Sequence, residues 1–225
     1  MKFKSSPPIF RAWFRGVRLP RASDPALRPR LSFPAQPVKA DKAPSGRLWI
    51  HEIKHDGYRL QIHKRGDRIR LYTMTGVDWT DRYPWIVDSA KAIIDTAILD
   101  AEAVIADEHG VTQFDKLGER IHDASAFAYA FDLLIIDDED LRQLPIEERK
   151  ARLAELCGKR KTSGIRFSEH LEGDGPTILQ HVCRMGLEGI VSKRIGSRYK
   201  SGRRAAWIKT KNPKAAAVLR LAEGG

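Results

Sequence analysis

The chain has 225 residues, 42% of them hydrophobic, which is enough to bury a full core in one domain or at most two. No apolar run approaches the ~18 to 20 residues of a membrane span, so a soluble protein is expected, and two cysteines, Cys157 and Cys183, are too few for a zinc ribbon or a disulfide framework. Forty Lys and Arg against 29 Asp and Glu give +11, which argues for a polyanionic partner.

The charge is unevenly spread. Residues 1–47 hold eleven bases and two acids, +9, which leaves 29 bases against 27 acids, +2, for residues 48–225. Residues 1–43 are also proline-rich and lack sustained periodicity, and they read as an extended basic arm in which Arg11, Arg15 and Arg18 would meet phosphates without sequence readout. A solvated tail and an Arg-rich organellar leader are the competing readings of the same composition.

From Leu48 the pattern turns to short apolar or alternating segments. Residues 58–64 and 68–73 flank Arg65-Gly66-Asp67 and predict a β-hairpin. Residues 84–96 carry Ile86, Val87, Ala90, Ile93 and Ile94 at three- and four-residue steps, an amphipathic helix. Two buried strands follow at 97–106 and 126–136, with a short helix at 111–122 between them. A helix at 145–157, an edge strand at 166–169, a helix at 176–185 and strands at 189–193 and 205–211 complete the chain. Together these make an α+β domain of antiparallel sheets with helices packed outside.

Five segments place charged or aromatic residues beside these strands. Glu52-Ile53-Lys54-His55-Asp56-Gly57-Tyr58-Arg59 joins a lysine to an Asp-Gly turn and an arginine. A lysine amine is nucleophilic only when neutral, and its ordinary pKa of about 10.4 requires burial or nearby cations to lower it. Glu102 interrupts an apolar strand, where a carboxylate wants a metal, a hydroxyl or a cation. Phe131 can stack on a base or fill the core. Glu188 opens a strand that Lys193 closes, and Lys209 and Lys211 fall on one face of another, where their ammonium groups repel unless an anion lies between them or both are solvated.

Taken in order, these segments, with Tyr199-Lys200-Ser201-Gly202-Arg203-Arg204, resemble the covalent nucleotidyltransferases, most closely the adenylation domain of bacterial ATP-dependent DNA ligases and in particular of end-joining enzymes. The resemblance covers roughly residues 44–213. It implies the ligase adenylation fold, two antiparallel sheets flanked by helices around an ATP cleft. It implies that Lys54 attacks the α-phosphorus of ATP to give lysyl-AMP, that AMP passes to the 5′-phosphate of nicked duplex DNA, and that the 3′-hydroxyl displaces it. By the same resemblance Glu52 would receive the adenine amino group, Phe131 would stack on the purine, and Glu102 would meet the ribose or a metal-bound water. Glu188 would bind magnesium, with manganese as its alternative, Lys209 and Lys211 would clamp the α-phosphate, and Arg59 would hold a phosphate of nucleotide or nick. A bacterial cytoplasmic, nucleoid-associated monomer is expected, with a separate DNA-binding or repair protein as partner.

The sequence departs from that family in two places. Where an arginine is usual after the hairpin, it reads Thr73-Met74-Thr75-Gly76, and only 14 residues follow Lys211, too few for an oligonucleotide-binding fold. Residues 214–225 read as a short tail. The alternatives left open are a ligase-like nucleic-acid-binding protein that completes no ligation, and an RNA ligase.

Overall fold

The computed structural model describes residues 34–93, 96–108, 110–158 and 163–215. Arg11, Arg15, Arg18 and the rest of positions 1–33 lie outside the described residues.

Two sheets form the scaffold. In the first, β3 (Tyr58–Arg65) and β4 (Arg68–Thr73) make the expected hairpin, with Gly66 at φ 55° entering its two-residue turn. β5 (Thr96–Val104) lies beside β3, and β6 (Phe127–Ile136) lies beside β5. β7 (Glu139–Asp140) extends the order to β4-β3-β5-β6-β7, while β8 (Ile165–Phe167) pairs parallel to β6. The second sheet brings together β1 (Ala35–Lys39), β2 (Trp49–Ile53), β9 (His170–Glu172), β10 (Gly189–Arg194) and β11 (Gly202–Lys211), in the order β1-β11-β10-β2-β9. Every pairing is antiparallel except β6 with β8 and β1 with β11.

Apolar faces decide how these layers pack. Helices α1 (Pro84–Lys91) and α3 (Ile146–Cys157) set Ile86 and Leu153 against Leu60, Ile62, Leu99 and Leu133 of the first sheet. Ile50 and Trp207 of the second sheet meet Ile98 and Leu134 of the first, which joins the two. Helix α4 (Gly175–Arg184) covers the second sheet with Val182 over Ile190.

Four boundaries differ from the sequence expectation. Strand β1 lies inside the segment read as an arm: its Pro37 breaks the periodicity, but at a sheet edge a missing N–H costs no internal ladder bond. Helix α1 ends at Lys91 rather than 96, where Lys64 Nζ donates to the carbonyls of Lys91 and Ile93 at 3.1 and 2.5 Å and so caps the chain end; residues 94 and 95 lie outside the described residues. The helix expected at 111–122 is α2 (Phe114–Gly118) followed by a 3₁₀ turn, Arg120–Ser125, held by Arg82 through the Leu117 carbonyl and Asp123. The single edge strand at 166–169 is two short strands, β8 and β9, in different sheets, because the chain crosses between the layers at Ser168 and Glu169.

Candidate active site

Where the two sheets face each other they leave a cleft of about 860 Å³. Glu52 of β2 and Lys209 of β11 line it from one side, Arg59 of β3, Glu102 of β5 and Phe131 of β6 from the other, and Lys54 from the link between the sheets. Lys54 lies just past β2, and its N–H donates to the Gly189 carbonyl at 2.9 Å, which ties its backbone to the start of β10. Gly57 then lets the link descend onto β5, because a Cβ there would stand 2.1 Å from the Ala103 carbonyl oxygen. The turn therefore needs glycine for close approach.

Lys54 Nζ donates to Glu188 Oε2 at 2.5 Å, and Lys211 Nζ pairs with the other oxygen at 2.9 Å; Lys54 lines the cleft, whereas Glu188 and Lys211 are not among its lining residues. Glu188 is thus shared by Lys54 and Lys211, not by the lysine pair Lys209 and Lys211. Lys209 enters no ion pair among the described residues. Its pKa is lowered by burial and by the cations of Lys54, Lys211 and Arg203. Glu102 stands opposite Arg59 across β5 and β3. Burial pushes its carboxyl up to about 7, against the pull of Lys54 and Arg59 and with the repulsion of Glu188 and Asp100.

The remaining expected residues are held by partners that sequence reading missed. Both Glu52 oxygens are taken, Oε1 by Lys150 of α3 at 2.7 Å and Oε2 by Lys193 at 2.8 Å, and these two cations hold its pKa below the ordinary value despite burial. Arg59 grips Asp100 through two nitrogens at 2.9 and 2.6 Å, and Tyr199 Oη donates to the same carboxylate at 2.6 Å. That carboxylate outweighs the burial of Arg59 and raises its pKa further. Phe131 lies under two cations, Lys193 Nζ at 4.6 Å and the Arg59 guanidinium at 5.2 Å from its centroid. One signal was available: Lys150 falls on the stripe Ile146, Lys150, Leu153, Cys157, a position that turns inward. His55, unassigned from sequence, stacks on Tyr129 at 3.9 Å, and burial pushes its pKa down to about 4. Met74 also lines the cleft, with 42% of its surface exposed, where the resemblance called for an arginine.

The arrangement offers an amine with a proton acceptor, anion-binding lysines beyond it, and an aromatic face. Among the described residues no group of three or more His, Cys, Asp or Glu side chains is placed to hold a metal by protein ligands alone. Glu102 and Glu188 interact electrostatically, and two carboxylates suit a magnesium ion that takes its other ligands from phosphate and water.

The protein family described as "ATP dependent DNA ligase domain" matches residues 29–211. "Multifunctional non-homologous end joining protein LigD" from Pseudomonas aeruginosa is 37% identical over 175 residues, 76% of this chain and 21% of that protein. "Probable DNA ligase" from Streptomyces coelicolor is 33% identical over 81% of this chain and 38% of its own length. A solved structure described as "mycobacterial DNA ligase D complexed with ATP and MES" superposes with TM-score 0.72 at 32% identity, covering 80% of this chain and 60% of that one. The chain thus spans about a fifth to two fifths of the length of these curated relatives.

Proposed function

The chain belongs to the ATP-dependent DNA ligase domain family, and from that premise we propose that it activates nicked DNA through AMP carried on Lys54. The observation that carries the reading is the 2.5 Å contact between Lys54 Nζ and Glu188 at the junction of two sheets whose facing surfaces form the cleft.

Lys54 gives one ammonium proton to water, and the freed lone pair attacks the α-phosphorus of ATP; the second N–H proton is lost to the departing pyrophosphate as the phosphoramidate forms. The Nζ–P bond forms as the bond to the bridging oxygen breaks, and pyrophosphate leaves with that electron pair. Lys209 lines the cleft and would face the growing negative charge, with Lys211 two residues on along the same strand, and a preorganised cation lowers such a barrier more than it strengthens ground-state binding. Phe131 offers its ring to the purine. Glu52 accepts the adenine amino group through lone pairs that Lys150 and Lys193 leave over, since each carboxylate oxygen has two. Glu102 and Glu188 would hold magnesium, which draws charge from phosphate oxygens when bound. A 5′-phosphate at a nick then takes AMP from Lys54, and the 3′-hydroxyl displaces AMP as the strand closes.

Incubation with ATP, magnesium and a duplex bearing one 3′-hydroxyl/5′-phosphate nick should give an ATP-dependent sealed strand. Met74 at the cleft favours a second reading, in which the protein binds nicks but does not seal them. A pre-adenylated nick separates the two: sealing of that substrate supports the ligase, and binding without sealing supports the second reading.

A further inference from the structure

Four residues form a row across the second sheet on its cleft side. Glu52 on β2 stands opposite Val191 on β10, Val191 opposite Lys209 on β11, and Lys209 opposite Lys39 on β1, and all four line the cleft. Residues paired across neighbouring strands project to the same face, and strands lie about 4.8 Å apart. The row is therefore a ruler of about 14 Å from an acid to a cation, with Lys209 about 5 Å short of its far end. Arg203, opposite Gln36 on the same strand pair, also lines the cleft and is felt electrostatically by Lys209. Neither Lys39 nor Arg203 enters an ion pair among the described residues.

We propose that Lys39 and Arg203 form a subsite for the terminal phosphates of ATP, and hence for the pyrophosphate that leaves when Lys54 is adenylated. The proposal rests on the reading that adenine lies at Glu52 and the α-phosphate at Lys209. From Lys209 a phosphate chain can continue along the row in two directions. Toward β2 it meets Val191 and then the Glu52 carboxylate, which repels it; toward β1 it meets Lys39. Electrostatics selects the second direction. The electron pair of the broken bond then arrives on an oxygen beside two cations that no acid among the described residues pairs with. The parallel pairing of β1 with β11 is what brings Lys39 alongside Lys209.

The test is calorimetric titration of the full chain, in magnesium, with AMP and with an ATP analogue whose α,β-bridge is methylene and which Lys54 cannot cleave. Lys39→Gln should weaken the analogue by about ten-fold or more, with AMP changed by less than about two-fold, and Lys39→Arg should restore most of the loss. Arg203→Gln should act in the same direction, and the double variant should lose the preference for the triphosphate. Unchanged analogue affinity in both variants, or equal losses for analogue and AMP, would overturn the subsite. If the variants lose the preference while wild-type Lys54 never takes label from ATP, the subsite stands and the ligase reading alone fails.

Discussion

Glu102 ties the chemistry of the cleft to pH. Its folded pKa of about 7 stands above the ordinary 4.5, so the folded state binds its proton more tightly than the unfolded chain does. The stability it contributes is fully present below about 4.5 and is lost as pH rises through about 7. Glu102→Gln should therefore raise the unfolding free energy from urea titration at pH 8, by at most about 3 kcal/mol, and leave it unchanged at pH 4. A variant less stable at pH 8 would show that cations, not burial, govern this carboxyl. At Glu52 the balance is reversed. Lys150 and Lys193 hold it charged, and Lys150→Met leaves one of its oxygens in the interior without that partner, which should cost on the order of 3 to 5 kcal/mol in chemical unfolding.

The link from β2 to β3 is the element on which Lys54 depends. Gly57→Ala drives a methyl group into the Ala103 carbonyl, and relief of that clash must shift the link that carries Lys54. A loss of about 1 to 3 kcal/mol in stability is expected, together with at least about a ten-fold slower adenylation, measured by unfolding and by a single-turnover assay. Wild-type rates in Gly57→Ala would mean that the link adapts freely. Much of this element was legible in advance, because alternation fixed the hairpin and the Asp-Gly turn placed the lysine beside it. Strand β1 was not, because Pro37 interrupts a five-residue strand and leaves no period to detect. The partners of Glu52 were hidden for another reason: Lys150 is 98 residues away in sequence, and nothing local announces such a pairing, although its place on the apolar stripe of α3 marked it as inward-facing.

At the scale of the whole molecule, most of the net charge lies outside the residues assigned to the cleft. Residues 1–33 carry eight bases and one acid, +7, while the residues assigned to the cleft lie at 39–211. Removal of residues 1–32 leaves β1 intact and should flatten the salt dependence of DNA binding without changing the adenylation rate; an unchanged slope would exclude these residues from the DNA contact. The two sheets meet only usefully if one amine sits where their charged faces converge. Incubation of the full chain with α-labelled ATP and magnesium, followed by peptide mapping, tests this most directly: label should appear on Lys54 in the wild type and vanish in Lys54→Ala, whereas equal labelling of both proteins, or label on another residue, would contradict the account.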